Sequence, residues 1–306
     1  MKESRTWQKF LSAFKKNLEK QSKSSVTIRG YLADLKLFEK WYQGTYGRNS
    51  DPLNTKDVDL LSYKSHLQTI KRQAPATINR HIAALRSFFA FLYERGQTKT
   101  FLAEHLKPLE PEPKRAPEVL SHKQFLRFLA APDKNTAGGK RDFAVLQVFL
   151  QAGLRLSEVA DVRIEDIQIG ERKGALRVQS GKGNKFREVP LNKTARIAIK
   201  EYLEVRPNYP DENHLFISQK RTPLKPRSIY DIVKKYLARA GIANPNITVH
   251  SLRDTMATNL YNQHKDIRLV QEILGHKHIQ TTTKYTKKTK EEKEQALEES
   301  PLNIYR

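Results

Sequence analysis

Six polar residues in the second half of the chain are of the types that phosphoryl chemistry requires. They are two arginines, one lysine, two histidines and one tyrosine, namely Arg155, Lys182, His250, Arg253, His276 and Tyr285. A phosphodiester under attack gathers charge on its non-bridging oxygens, and the planar guanidinium of arginine can bond two of them at once. A tyrosine can attack phosphorus once its hydroxyl, whose pKa is ordinarily about 10, loses its proton. Such a set could therefore use Tyr285 as a nucleophile.

Each of these residues has an ordinary explanation when it is taken alone. Tyr285 is one of 12 tyrosines. An isolated arginine is usually a surface ion-pair partner, and Lys182 could be a solvated hairpin tip. His250 could simply start a helix, and His276 could simply follow one. These explanations do not account for the order of the six residues or for the sequences around them.

The surrounding sequences resemble those of the tyrosine recombinase (phage integrase) family. The matching motifs follow the family order, namely Gly-Leu-Arg-Leu-Ser-Glu at 153–158, Gly-Lys-Gly-Asn-Lys at 181–185 with Val-Pro-Leu at 189–191, His-Ser-Leu-Arg at 250–253, Leu-Gly-His at 274–276 and Thr-Thr-Thr-Lys-Tyr at 281–285. The resemblance covers nearly the whole chain. It is closest to the bacterial Xer-like members and extends to transposon resolvases and integrases.

The resemblance implies a role for each catalytic residue. Arg155 and Arg253 would stabilise charge on the phosphate, and removing one such preorganised donor typically costs ~10²–10³ in rate. His250 would act as base or phosphate ligand, His276 would donate a hydrogen bond to the phosphate, and Lys182 would protonate the departing 5′-oxygen. Tyr285 would form a 3′-phosphotyrosyl bond. Because that bond conserves the phosphodiester energy, a 5′-hydroxyl could rejoin the DNA without a cofactor.

Two acidic residues accompany this set. Glu158 matches the acidic position of the family motif, where it would orient the neighbouring basic groups. Asp254 is a departure, because many Xer-like relatives carry histidine after the second arginine. A carboxylate at this position can pair with a neighbouring base, and the sequence leaves its effect on the reaction open.

Other chemistries find little support in the sequence. The segment Gly138-Gly139-Lys140-Arg141 fails the phosphate-loop pattern at its last position. The chain has no cysteine, which excludes thiolate zinc sites and disulfides and fits a reducing compartment. No Asp, Glu and His cluster has convincing metal-ligand spacing. The sequence therefore predicts no metal and no cofactor.

The charge of the chain points to a polyanionic partner. The formal net charge is +23, and basic residues outnumber acidic ones by 20 to 10 over residues 1–110 and by 36 to 23 over the remainder. An excess spread over both parts indicates two folded bodies that lie along nucleic-acid phosphates. No apolar run approaches the ~20 residues of a membrane span or forms a signal peptide. We expect a soluble, cytoplasmic protein that does not bind membranes.

The amino-terminal part is predicted to be all-helical. Apolar residues recur at helical spacing from Trp7 to about Leu106. Cap signals predict helix starts near Ser25 or Thr27, at Thr55 with Asp57, and at Pro75 with Thr77. Polar residues at two of these starts are candidates for phosphate or base contacts, although a solvated surface explains each of them equally well. These candidates are Thr27, Arg29, Thr77, Asn79 and Arg80.

A proline-rich stretch predicts the domain boundary. Four prolines between residues 108 and 117 favour an extended spacer. We expect a helical SAM-like DNA-binding domain at 1–107, a linker at 108–119 and a catalytic domain at 120–306. The resemblance implies a mainly α fold with a small antiparallel sheet and two domains arranged as a C-shaped clamp around DNA.

The catalytic domain is predicted to combine helices with one hairpin. Ser121 caps a short helix, and residues 143–154 form a helix that is apolar nearly all round. Residues 174–191 alternate around a Gly-rich turn and predict the hairpin. Further helices are predicted at 193–205, 226–240, 250–263 and 267–274, with 215–218 as the only other plausible strand. The charged run 284–299 is predicted to form a terminal helix.

The resemblance also implies an assembly. Four protomers would join two double-stranded DNA sites with inverted-repeat cores, residues 289–306 would dock on a neighbouring protomer, and an accessory DNA-bending or directionality protein is possible. Two alternatives stay open. One is a type IB topoisomerase that relaxes DNA as a monomer, and the other is a DNA-binding protein with a vestigial catalytic set. The sequence does not give the target site or choose between integration, excision and resolution.

Overall fold

The computed structural model describes residues 5–47, 51–110, 117–179, 186–276, 278–286, 294, 298 and 299. The chain divides into two compact units, Met1–Lys114 and Arg115–Arg306. Each unit has its own hydrophobic core. Both units are mainly helical, and the described strands form one small antiparallel sheet.

The first unit contains four described α-helices. They are α1 (Arg5–Lys20), α2 (Ser25–Tyr46), α3 (Asp57–Thr69) and α4 (Pro75–Glu94). Their apolar faces converge on an aromatic core in which Trp7, Phe38 and Phe88 are fully buried. Edge-to-face and stacked pairs around Trp7 and Phe38 have ring centroids 5–7 Å apart, the spacing favoured by aromatic quadrupoles. The prediction of a helical unit is confirmed.

The helix starts in this unit differ slightly from the sequence prediction. The cap of α2 is Ser24, whose hydroxyl accepts the amide hydrogen of Thr27, so Ser25 already lies inside the helix. Helix α3 begins after Lys56, whose amide donates to the Asp59 carboxylate. Helix α4 begins after Ala74, with proline in the first helical position, where its missing amide hydrogen costs nothing.

The second unit contains seven described α-helices and the sheet. The helices are α5 (His122–Ala130), α6 (Ala137–Ala152), α7 (Leu156–Asp161), α8 (Lys193–Leu203), α9 (Pro226–Arg239), α10 (Val249–His264) and α11 (Ile267–Leu274). Helix α6 is buried through most of its length, as its apolar sequence predicts, and Ser121 caps α5 through Gln124. The predictions for α8 to α11 are confirmed within one or two residues.

The sheet confirms the hairpin and corrects the third strand. Strands β1 (Ile167–Ile169), β2 (Gly174–Gln179) and β3 (Phe186–Pro190) pair antiparallel in that order. The predicted strand at 215–218 was wrong. The structure has isolated bridges here, between His214 and Arg163 and between Ile217 and Pro223. The chain reverses direction between Ile217 and Pro223, which leaves the segment too short to form a ladder.

Two short segments complete the path to the predicted nucleophile. Residues Ile279–Thr281 and Thr283–Thr286 form 3-10 helices that pack beside α10 and α11. The predicted terminal helix at 284–299 falls largely outside the described residues, and residues 284–286 belong to a 3-10 turn instead. Among the described residues, no helix has the length and apolar character needed to cross a membrane.

Candidate active site

The Glu158 carboxylate is the electrostatic centre of the site. Arg155 caps helix α7, and its amide and Nη1 donate to the two oxygens of Glu158, each at 2.7 Å. Arg187 of β3 donates through Nη1 and Nη2 at 2.9 and 2.8 Å. Burial would raise the pKa of Glu158, but the hydrogen bonds from Arg187 and Arg155 outweigh it and lower the pKa to about 2. Glu158 therefore stays ionised and fixes both arginines.

Arg187 is a residue that the sequence analysis missed. In β3 it lies on the same face as the buried Val189, because strand side chains alternate, and it stands opposite Val178 of β2. Its Nε also donates to Ile273 O at 3.3 Å. The available signal was the strand alternation itself, since an arginine on the inward face of a strand needs an acidic partner.

Arg253 lies deepest in the site. It extends from the first turns of α10 with only 2% of its surface exposed. Its Nη1 donates to Gly153 O, and its Nη2 donates to Leu274 O at 2.7 Å. Burial and the positive charge of Arg155 lower the pKa of Arg253 to about 10, so it remains charged at neutral pH. The two carbonyls orient the guanidinium.

Two glycines make this close packing possible. Gly153 ends α6 and Gly275 ends α11, with φ of +61° and +64° respectively, in the left-handed region that side chains disfavour. A Cβ at Gly275 would lie 2.6 Å from Arg187 Cδ, and one at Gly153 would lie 3.0 Å from a methyl of Leu274. The glycines thus end α6 and α11 at points where the carbonyls of Gly153 and Leu274 can accept hydrogen bonds from Arg253.

His276 adjoins Arg253. Arg253 Nη2 lies 3.1 Å from His276 Nε2, and His276 Nδ1 lies 3.0 Å from the hydroxyl of Thr282. A guanidinium can only donate, so Nε2 accepts and Nδ1 carries the proton. Burial and the positive charges of Arg253 and Arg155 together lower the pKa of His276 to about 4. The imidazole is therefore neutral at physiological pH.

Tyr285 lies in the second 3-10 turn with 5% of its surface exposed. Its hydroxyl donates to Asp254 Oδ1 at 2.7 Å, and Lys284 Nζ donates to the same oxygen at 2.7 Å. Burial raises the pKa of Tyr285, and the Asp254 carboxylate raises it further, whereas Arg253 and Arg155 lower it. The predicted nucleophile is a protonated phenol in this state. Asp254 pairs with a base, as its sequence position allowed.

Two predicted catalytic residues remain, His250 and Lys182, and the structure describes only the first of them. His250 is exposed in the first turn of α10, three residues before Arg253 and hence on a neighbouring position of the same helix face. Lys182 lies outside the described residues, between β2 and β3. A cavity of about 630 Å³ borders Arg155, Glu158 and His276. Over the described ranges, no cluster of three or more His, Asp or Glu could hold a metal ion.

The predicted DNA-contacting residues of the first unit have mixed surroundings. Arg29 is exposed, and Thr27 and Thr77 are partly exposed near their helix starts. Asn79 uses its amide twice, donating to Leu109 O at 2.9 Å and accepting from the Leu109 amide at 2.7 Å. Arg80 is half exposed and pairs with Asp34 at 2.8 Å. DNA contact by these residues stays a prediction.

The chain thus has two mainly helical units, and in the second unit Arg253, His276, Asp254 and Tyr285 form one connected set of contacts. The phage integrase family model matches residues 118–292, and the model of the phage integrase N-terminal SAM-like domain matches residues 7–96. The chain therefore belongs to the phage integrase family. It is a tyrosine-type site-specific recombinase, an enzyme that cleaves and rejoins DNA strands.

Relatives of known type agree with this assignment. The tyrosine recombinase XerC of Caldanaerobacter subterraneus subsp. tengcongensis is 32% identical, with 92% of this chain and 84% of the relative covered. The tyrosine recombinase XerA of Pyrococcus horikoshii is 33% identical, with 95% and 93% covered. The solved pre-cleavage complex of the XerH recombinase with its difH substrate matches with a TM-score of 0.71 and 25% identity, covering 97% of this chain and 85% of XerH.

Proposed function

We propose that Tyr285 is the nucleophile of strand cleavage and that Arg155 and Arg253 bind the attacked phosphate. The observation that supports this proposal most is one connected set of contacts. Arg253 contacts His276, and the adjacent Asp254 accepts a hydrogen bond from the Tyr285 hydroxyl. Arg155 is 40% exposed at its side chain and borders the cavity, so a phosphate can reach it from solvent. Its donors not bonded to Glu158 remain available for that phosphate.

The other polar groups have distinct tasks in this reaction. His276, held neutral with its proton on Nδ1 here, can present a donor to the phosphate after exchanging its contacts with Arg253 and Thr282. His250 assists as base or phosphate ligand, and Lys182 protonates the leaving 5′-oxygen. The phenolate oxygen bonds to phosphorus as the 5′-oxygen departs, which leaves a 3′-phosphotyrosyl bond. Attack by another 5′-hydroxyl reverses the step on a new strand.

Charge and family membership support a proposal for the substrate and the assembly. Both units are strongly basic, which favours a duplex bound along both of them, with the linker 108–119 joining the two. We infer that the enzyme acts in the cytoplasm on double-stranded DNA with inverted-repeat core sites and that four protomers join two sites. XerH, similar over nearly the whole chain, was solved on its difH substrate, and this supports a similar mode of binding here.

Covalent trapping tests this proposal. A duplex is first selected from a randomised library by binding to the Tyr285→Phe variant and is then nicked next to the cleavage point so that the cleaved end diffuses away. The wild type should form an adduct that survives denaturant and chelator. Tyr285→Phe should bind equally well and form none. An adduct that persists in Tyr285→Phe would show that another residue is the nucleophile.

The two arginines are tested in the same assay. Arg155→Ala and Arg253→Ala should lose cleavage by about 10²–10³-fold each while salt-dependent binding largely remains. Arg163→Ala, on the rim of the same cavity, is the matched control and should cleave at close to the wild-type rate. Equal losses of binding and cleavage would make Arg155 and Arg253 positioning residues for DNA.

The topoisomerase alternative is separated by a plasmid assay. A recombinase should exchange strands only when two sites are present, because the cleaved strand must find a partner. Relaxation of a supercoiled plasmid with one site, at the same rate as a plasmid with two, would favour the type IB activity instead.

A further inference from the structure

Asp254 occupies an unusual position relative to the nucleophile. It follows Arg253 in α10, and consecutive helical residues point about 100° apart. Arg253 therefore turns into the core while Asp254, partly buried with 13% of its side chain exposed, faces the 3-10 turn that carries Tyr285. The single hydroxyl proton of Tyr285 points at Asp254 Oδ1, 2.7 Å away. A nucleophile must lose this proton before or as it attacks.

Lys284 belongs to the same contact. Its Nζ donates to Asp254 Oδ1 at 2.7 Å and lies 4.7 Å from the centre of the Tyr285 ring. One carboxylate oxygen thus joins a cation and the phenol. The Asp254 charge opposes formation of a phenolate, and the Lys284 charge compensates for it.

We propose that Asp254 is a positioning residue that holds the Tyr285 hydroxyl and keeps it protonated, so that Asp254 and Lys284 together set the pH range of strand cleavage. This inference rests on the proposed role of Tyr285 as nucleophile. It assigns Asp254 a task that differs from that of a proton acceptor. A carboxylate base would speed cleavage, whereas a holding carboxylate slows it at neutral pH.

The other charged groups around Tyr285 also affect its pKa. Arg253 of α10 and Arg155 at the start of α7 lower the pKa of Tyr285 and so favour the phenolate. Lys284 carries the same sign of charge 4.7 Å from the ring centre, and by Coulomb's law it acts in the same direction. His276, which follows α11, has a pKa of about 4 and is neutral near pH 7, so it adds little charge beside Tyr285. Tyr261 of α10 packs against the small apolar cluster that contains Tyr285, and its phenol is the other ionisable group there. Among the groups described, Asp254 is the acidic one in contact with the nucleophile.

Single-turnover cleavage of the nicked duplex, with protein in excess from pH 6 to 10, tests the proposal. Asp254→Asn keeps an oxygen that can accept the Tyr285 hydroxyl and removes only the charge. We expect its rate profile to move to lower pH by about one unit, which makes cleavage near neutral pH about tenfold faster. Asp231→Asn, an exposed surface substitution with the same change of charge, should leave the profile unchanged.

Lys284→Met should have the opposite effect. It leaves the Asp254 charge uncompensated, so cleavage near neutral pH should slow and the profile should move to higher pH. In the background of Asp254→Asn the same substitution should have a smaller effect, because the charge it balances is gone. Equal effects of Lys284→Met in both backgrounds would mean that Lys284 acts on the phosphate and not through Asp254.

Two outcomes overturn the inference without touching the nucleophile. Loss of cleavage at every pH in Asp254→Asn would make Asp254 the proton acceptor. A uniform change with no movement along the pH axis would make it a structural residue. A direct readout is the ¹⁹F NMR titration of 3-fluorotyrosine placed at position 285 without DNA. Its ionisation should move to lower pH in Asp254→Asn, whether or not Tyr285 proves to be the nucleophile.

Discussion

Two carboxylates beside arginines, the buried Asp34 and the partly buried Glu158, behave in opposite ways in the two units. Glu158 in the second unit receives four hydrogen bonds from Arg155 and Arg187, and its pKa is lowered to about 2. Asp34 in the first unit, 2% exposed, has Arg80 Nη1 at 2.8 Å, yet neither of its oxygens has a hydrogen bond of good geometry among the described residues. Burial therefore raises the pKa of Asp34.

The difference shows that donor geometry outweighs proximity. Both carboxylates are desolvated and both lie near a guanidinium, but only Glu158 has donors aimed at each oxygen. A carboxylate that stays ionised holds its arginines in one place, as the proposed phosphate-binding role of Arg155 requires. Asp34 instead faces His81, whose pKa burial lowers. Burial thus works against the charged form of both Asp34 and His81.

The largest expected effect comes from removing the Glu158 charge. Glu158→Gln leaves Arg187, whose side chain is 11% exposed, and the neighbouring Arg155 without an anion and places an amide N–H₂ against their donors. We expect the second unit to lose about 3–5 kcal/mol of unfolding free energy, the range for breaking a buried pair. Hydrogen exchange resolved by unit measures it. Glu165→Gln, an exposed partner of Arg163, is the control and should change stability by less than about 1 kcal/mol.

The next effect is the pH dependence of that pair. The folded pKa of Glu158, about 2, lies below its ordinary value of 4.5, so the stabilisation is complete above about pH 4.5 and is lost as pH falls toward 2. It amounts to about 3 kcal/mol for a shift of this size. The stability difference between wild type and Glu158→Gln should shrink over that window. A constant difference between pH 6 and 2.5 would contradict the ion-pair explanation.

Asp34→Asn should have a smaller effect. Its raised pKa means that the folded first unit loses stability as pH rises from 3.8 through the folded value, the reverse of Glu158. The lowered pKa of His81 adds stability as pH rises toward 6.5. At pH 7 we expect Asp34→Asn to lie within about 1 kcal/mol of the wild type, because the lost ion pair is offset by relief of a buried charge. Tryptophan fluorescence in urea measures it, since Trp7 and Trp41 both belong to this unit. A loss above about 3 kcal/mol would mean that Asp34 is paired as firmly as Glu158.

The sequence predicted the local elements better than the contacts between them. Helical periodicity and the alternating hairpin were sufficient for most elements, because both are local signals. Strand β1 was missed because Ile167–Ile169 is only three residues long, while the apolar run 215–218 has a strand-like composition and is buried between turns.

The missed contacts are long-range ones. Arg187 lies 29 positions from Glu158, and Asp254 lies 31 positions from Tyr285. Sequence spacing carries no information on such pairs, because the tertiary packing of β3, α7, α10 and the last 3-10 turn brings them together. The motifs therefore selected the residues that we propose to react, whereas the structure was needed to show that Arg187 contacts Glu158, Thr282 contacts His276 and Lys284 contacts Asp254.

The smallest expected effect concerns Arg80, which pairs with Asp34 and is also a predicted DNA contact. Arg80 is half exposed and its ion pair with Asp34 competes with any phosphate. If Arg80 contacts the backbone, Arg80→Ala should lower the slope of log affinity against log salt by about 0.9. Asp34→Asn should strengthen binding by about twofold at low salt, since it frees Arg80 from a competing anion. Fluorescence anisotropy over a salt series on the selected duplex measures both. An unchanged slope in Arg80→Ala would confine Arg80 to its pair with Asp34, and Asp34 and Glu158 would then differ only in how they stabilise the fold.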